Sequence, residues 1–267
     1  MMSKHILARD SLIAEKRDEL GYLILNRPQR KNAITFEMWT AIPEALEWLE
    51  QHDTVRCIVI EGAGGVDFSA GADIGEFDTM RGDPSSAQDY EMSNSAAFGA
   101  VRKCHIPTVA KLRGICFGGA FGLAAAADIR IASKETTFSV PAGKLGLAYP
   151  PDAMPDIVEA IGSQNARAML YTAQHIGAEE ALKLGFVYSL CASEDLEQRV
   201  GSFAREICAN APLSNRASKA AIRAALSGNA EDRRHADAIA QSTFLSADYE
   251  EGRAAFKDKR PPRFVGK

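Results

Sequence analysis

Two short stretches hold the residues best suited to chemistry, and in both the reactive groups are backbone amides. In residues 106–133, IPTVAKLRGICFGGAFGLAAAADIRIAS, Gly118-Gly119 interrupts an apolar run. The segment that follows is almost wholly alanine, glycine and leucine. The pattern predicts strand, glycine turn, small-residue helix and strand. A helix opening on two glycines presents free N–H groups and the positive end of its dipole. Such an end suits an anion, or an oxygen that becomes negative during reaction. Residues 68–77, FSAGADIGEF, make a similar arrangement, with Ala72 at the turn and a helix start at Asp73. Two such turns can aim two donors at one carbonyl oxygen, the geometry of an oxyanion hole.

The side chains that could move protons are more scattered. Asp73, Glu76 and Asp78 stand beside the first turn, where helix capping or dipole pairing explains at least Asp73. Asp128 follows the small-residue helix and reads as structural. His105 and His175 flank turns, and His52 ends a polar helix. The five cysteines (Cys57, Cys104, Cys116, Cys191, Cys208) are odd in number and contain no CxxC pair. They read as reduced thiols of a cytoplasmic protein, not as a disulfide framework or a zinc site.

Positioning these groups takes a sizeable core. The chain has 267 residues, 46% of them hydrophobic, and a formal charge of −4, enough for one large domain with a small appendage. No basic excess points to nucleic acid. No apolar run approaches the roughly 18 residues of a membrane span, and MMSKHILARD lacks a signal-peptide core. Residues 12–26 read as hairpin strands and Asn26-Arg-Pro as a turn. Thr35 caps a helix through Glu50, kinked or broken at Pro43, and RCIVIE at 56–61 is a buried strand. Residues 80–95 are polar and include a mobile loop. Residues 138–151 are irregular, 157–170 and 178–184 helical, and 196–256 mostly helical. Repeated strand–helix units predict an α/β sheet with its loops gathered at one end.

LNRPQRKNAI at 25–34, FSAGADI at 68–74, GICFGGAFGLAAAADI at 114–129 and EGRAAFKDKRPPRF at 251–264 together resemble the crotonase, or enoyl-CoA hydratase/isomerase, family. The resemblance runs in the right order over nearly the whole chain. It implies an α/β fold, a crotonase-like spiral of ββα units with a C-terminal helical segment. It also implies an acyl-CoA-binding core over 1–200, an oligomerisation segment over 201–267, and a trimer or a dimer of trimers. The ligand it implies is an acyl-CoA thioester, with no separate cofactor because coenzyme A is part of the substrate. The thioester oxygen would sit between the N–H groups of Ala72 and Gly119. Ala70, Asp73, Ile74 and Gly75 match positions along the coenzyme A moiety, and Gly118 completes the turn. Arg30 and Lys31 match a loop on the nucleotide side, with two solvated charges as the alternative. In the basic tail of Arg253, Lys257, Lys259, Arg260 and Arg263, Phe256 and Lys259 match a C-terminal pattern that can reach a phosphate across subunits.

The departure from the family lies in the acid–base groups. A standard hydratase of this family holds a water between two glutamates, and their positions fall here on Gly122 and Ala142. Neither residue can transfer a proton, so the two-glutamate mechanism is not expected. Tyr149 falls where members similar to methylmalonyl-CoA decarboxylase carry a tyrosine, and a decarboxylation needs no base to form its enolate. Asp152 is the second candidate, as an acid or base. The sequence leaves three readings open: a hydratase/isomerase-type enzyme with relocated proton transfer, a decarboxylase, and a non-catalytic binder of CoA esters.

Overall fold

The N-terminal strands begin earlier than expected. In the computed structural model, which describes residues 2–267, β1 (Ser3–Leu7) pairs antiparallel with β2 (Leu12–Arg17), and β2 with β3 (Leu20–Leu25). Thr35 then caps α1 (Phe36–Glu50) by accepting from the Met38 N–H at 3.2 Å. Pro43 lies inside α1 without breaking it. The helix buries Met38, Trp39, Ile42, Leu46 and Leu49, a stripe of helical period.

The chain continues through β4 (Cys57–Gly62), α2 (Phe77–Met80), α3 (Pro84–Lys103), β5 (Thr108–Leu112), β6 (Ile115–Phe117) and α4 (Gly119–Ala125). Next come β7 (Ile129–Ser133), β8 (Thr137–Ser139), α5 (Met154–Thr172), β9 (Ile176–Gly177), α6 (Ala178–Lys183) and β10 (Ser189–Cys191). Four helices close the chain: α7 (Leu196–Cys208), α8 (Pro212–Ser227), α9 (Ala230–Thr243) and α10 (Ala247–Asp258).

Seven strands form one sheet in the order β1-β2-β3-β4-β5-β7-β10, parallel from β3 onward. Alternate residues serve opposite faces, as the two-residue period requires. Leu23, Leu25, Ile58 and Ile60 join the core under α1, α3 and α4. Tyr22, Ile24, Cys57 and Val59 meet Leu196, Val200 and Ala204 of α7. A second, three-stranded sheet, β6-β8-β9, stands beside the first.

One expectation changes. Residues 84–95 are helix, not mobile loop, because Asp83 starts α3 with a capping box: it accepts from the Ser85 and Ser86 N–H groups at 2.8 and 3.1 Å. The division at 200/201 falls inside α7, whose apolar face belongs to the sheet packing. Beyond α7, the buried residues of α8, α9 and α10 are Ala224, Ala236, Asp248 and Ala255. Among the described residues no helix is long and apolar enough to cross a membrane.

Candidate active site

The chain after β4 runs between two neighbours that hold it by its backbone. On one side the Ala70 N–H donates to Lys31 O at 2.9 Å, Ile34 N–H to Gly71 O at 2.7 Å, and Asp73 N–H to Ile34 O at 2.9 Å. Asn32, buried and left-handed at φ 53°, ties this side to Ala63 O and Asp67 O. On the other side the Ser69 N–H donates to Ile115 O and Phe117 N–H to Ser69 O, while Gly118 N–H reaches Ser139 O at 2.8 Å. Gly71 N–H finds the Ser69 hydroxyl at 3.1 Å. The amides of residues 69, 70, 71, 73, 117 and 118 thus all meet acceptors. Among the described residues, those of Ala72 and Gly119 meet none.

The two free amides are close together. Gly71 is left-handed at φ 90°, and a side chain there would come within 2.5 Å of Phe117 O and 3.1 Å of Gly119 N. A methyl group on Gly119 would lie 3.8 Å from Ala72 N and only 2.8 Å from Cζ2 of the buried Trp39. The approach of the two turns, with a positive φ, calls for glycine at 71, and the Trp39 ring calls for it at 119. Ala72 and Gly119 are half-buried, and their two unpartnered amides, side by side, can serve one oxygen of a ligand.

Tyr149 reaches this turn from the irregular segment before α5. Its hydroxyl donates to Gly118 O at 2.9 Å. Burial first, with Cys116 nearby, pushes the phenol well above its ordinary pKa against the opposing pull of the Gly122 N–H. It therefore stays protonated at neutral pH. The same hydroxyl stands 2.4 Å from where a Cβ on Gly122 would lie, and Phe98 stands 3.0 Å away. The side-chain space at 122 is filled by two rings. Ala142 sits half-buried in the 3₁₀ turn Pro141–Leu145. Asp152 is exposed, and its carbonyl accepts from Arg102 at 2.7 Å.

The remaining residues are placed unevenly. Asp73 is buried and occupied: it accepts from Arg27 at 2.8 Å and from Gly75 N–H at 3.1 Å, with Arg30 at 3.6 Å. Burial raises its carboxyl, but Arg27, the Gly75 N–H and Arg30 together hold it below the usual range. Ile74 and Gly75 are exposed, as are Arg30 and Lys31, all around the same turn. Phe256 and Lys259 are exposed on and just after α10. Arg260 from the basic tail is taken up internally, forking onto Glu251 at 2.7 and 2.9 Å.

Three features were not anticipated. Arg27, inside the LNRPQRKNAI motif, fixes the Asp73 turn, and Trp39 lies directly under Gly119. A polar cluster between the end of α2 and α3 is the third. Arg81, 10% exposed in its side chain, pairs with Glu91 at 2.7 Å and stacks on Phe77 and Tyr90. Glu91 Oε2 and Asn94 Oδ1 are buried without partners. Burial raises the Glu91 carboxyl and Arg81 opposes it. Only the helical spacing of Glu91, Asn94 and Phe98 could have signalled this cluster, and it shows only once residues 84–95 are read as helix.

Residues 15–267 match the family model described as enoyl-CoA hydratase/isomerase. The chain is 29% identical over 262 residues to a crotonyl-CoA hydratase of Syntrophomonas wolfei, covering 98% of this chain and 100% of that protein. It is 29% identical over 256 residues to a peroxisomal Δ(3,5)-Δ(2,4)-dienoyl-CoA isomerase of Arabidopsis thaliana, covering 91% and 92% of the two chains. A crystal structure of an enoyl-CoA hydratase/isomerase family protein from Hyphomonas neptunium superposes with a TM-score of 0.92 at 32% identity, over 96% of this chain and 98% of that one.

Proposed function

Because the chain belongs to the enoyl-CoA hydratase/isomerase family, we propose that it transforms acyl-CoA thioesters by holding the thioester oxygen between the N–H groups of Ala72 and Gly119. The observation that carries this reading is the pair of adjacent, unpartnered amides at Ala72 and Gly119, set among the paired amides of residues 69, 70, 71, 73, 117 and 118. Two fixed donors stabilise an enolate oxygen more than a ground-state carbonyl, because the charge there grows as the reaction proceeds. The exposed residues Arg30, Lys31, Ile74 and Gly75 border the same turn and are where we place the coenzyme A moiety, with Ala70 and Gly118 lining its backbone path. Arg30 and Lys31 then meet phosphates. We further propose a homo-oligomer, in threes, that brings Phe256 and Lys259 to a neighbour's ligand, and a cytoplasmic location in keeping with five free thiols.

The fate of the enolate separates two readings. Hydration or isomerisation needs proton transfer from groups other than residues 122 and 142, Asp152 among them. Decarboxylation needs none to begin: the C–C bond to the carboxylate breaks, CO2 leaves, and the electron pair stays on the α-carbon, delocalised onto the held oxygen. A specific observation favours this second reading: Tyr149 and Phe98 fill the space of any side chain at Gly122. Incubation with crotonyl-CoA, a β,γ-enoyl-CoA and methylmalonyl-CoA, following thioester absorbance and CO2, tests both. Binding of all three without turnover would establish a non-catalytic binder. Equal affinity by calorimetry for a CoA ester and its free acid would overturn the thioester site itself.

A further inference from the structure

The hydroxyl of Tyr149 ends on the carbonyl of Gly118, at 2.9 Å. That carbonyl and the Gly119 N–H belong to one planar peptide unit. A hydrogen bond accepted by the C=O draws electron density toward oxygen and leaves the N–H at the other end more positive. Chains of hydrogen bonds reinforce one another in this way, by roughly 10–30% per bond. Resting on the thioester reading above, we propose that Tyr149 is a positioning residue that fixes the plane of the Gly118–Gly119 peptide and strengthens Gly119 N–H as a donor to the ligand oxygen.

Three further observations support the assignment. Gly118, at φ 53° and ψ −122°, lies outside the helical region, and its carbonyl also accepts from the Phe121 N–H at 3.0 Å, so Tyr149 adds a side-chain donor to a carbonyl that the first turn of α4 already engages. Trp39, fully buried, stands against Gly119, so an indole and a phenol both bear on this peptide unit. The phenol is a dependable donor because it remains protonated, and its proton is committed to Gly118 O. Its acceptor is therefore the protein, not a water or a substrate carboxylate. The residue acts through the amide it tunes.

The test uses butyryl-CoA isotope-labelled at the thioester carbonyl, a ligand with no double bond to hydrate or shift, and the infrared band of that carbonyl. In the parent protein, binding lowers the band frequency. Tyr149→Phe binds the ligand within about 3-fold of the parent but lowers the band less. On whichever substrate the parent turns over, its kcat falls about 10-fold with KM little changed, below the roughly 100-fold or more that loss of a whole oxyanion donor costs. Ring-fluorinated tyrosine at position 149 gives a more acidic phenol with the packing kept, and lowers the band further than the parent does. A purely structural tyrosine would not produce that opposite pair of shifts. If the parent band does not move on binding, the thioester reading fails, and this inference with it. If the parent band moves but both substitutions leave the shift unchanged, the inference alone is overturned. Should Tyr149→Phe fail to fold, the fluorinated protein decides the matter by itself.

Discussion

Glycine 122 is small because its neighbours are large. Any Cβ there would meet the Tyr149 hydroxyl at 2.4 Å, closer than real side chains come, and the Phe98 ring at a tight 3.0 Å. Gly122→Glu in the present chain should therefore cost about 1–3 kcal/mol, the usual range for overpacking a formed core. The same change in a Tyr149→Ala background should cost much less, because the two side chains compete for one space and such pairs are not additive. Thermal melts of the two single variants and the double variant check this. Additive shifts in Tm would mean that the residues do not share the volume. The sequence shows that 122 carries no carboxylate and that Gly71 and the pair Gly118-Gly119 mark turns, since glycines among small residues announce themselves locally. It does not show that Tyr149, 31 residues from Gly118 along the chain, supplies the hydroxyl that fills the space. Nor does it show that Trp39 from α1 limits Gly119. Those facts exist only in the packing.

At the level of elements, legibility follows the strength of the local pattern. The Thr35 cap, the strand at 57–62, the turn after β4 and the small-residue helix α4 all stand where periodicity and glycines place them. Helix α3 does not, because its first half is too polar to show an apolar stripe, and Pro84-Ser-Ser resembles a loop. The legible signal was Asp83, with Ser86 three residues on, which the structure uses as a reciprocal cap. The bonds from Ser86 and Ser85 hold the Asp83 carboxyl below its ordinary range. A lowered folded-state pKa means the cap is fully present above the ordinary aspartate range and is lost as pH falls through the lowered value. Protection factors at 85–87, that is exchange rates corrected for their intrinsic pH dependence, should therefore fall on acidification, and also at neutral pH in Asp83→Ala. Asp83→Asn, which still caps but does not titrate, should keep those amides protected at both pH values. Protection that ignores both pH and Asp83→Ala would show that α3 is anchored elsewhere, through Arg81, Phe98 and the core.

For the molecule as a whole, the C-terminal helices are out of balance with the rest. The sheet, α1, α3 and α4 share a continuous buried core, whereas α8, α9 and α10 bury three alanines and one aspartate. This C-terminal region exposes Phe244 at 65% and Leu245 at 92%, between α9 and α10, and Phe256 at 88% on α10. Large exposed apolar side chains such as these can mark a surface that another protein covers. Fully burying one such side chain is worth about 1.5–3 kcal/mol, and in a closed ring each is buried once per subunit. The chain should therefore sediment as an oligomer at micromolar concentration. Leu245→Ser with Phe256→Ser should shift it toward monomer while circular dichroism keeps its helix content, since neither residue packs on its own core. If Phe256 and Lys259 also serve a neighbour's ligand, the same pair of changes should weaken CoA-thioester binding, with the loss recovering as protein concentration drives reassembly. Lys259→Ala alone should weaken binding without dissociating the assembly, because its exposed ammonium contributes charge and little apolar area. Parent protein that sediments as a monomer would overturn the interface. Dissociation that leaves thioester affinity unchanged would confine each site to its own subunit.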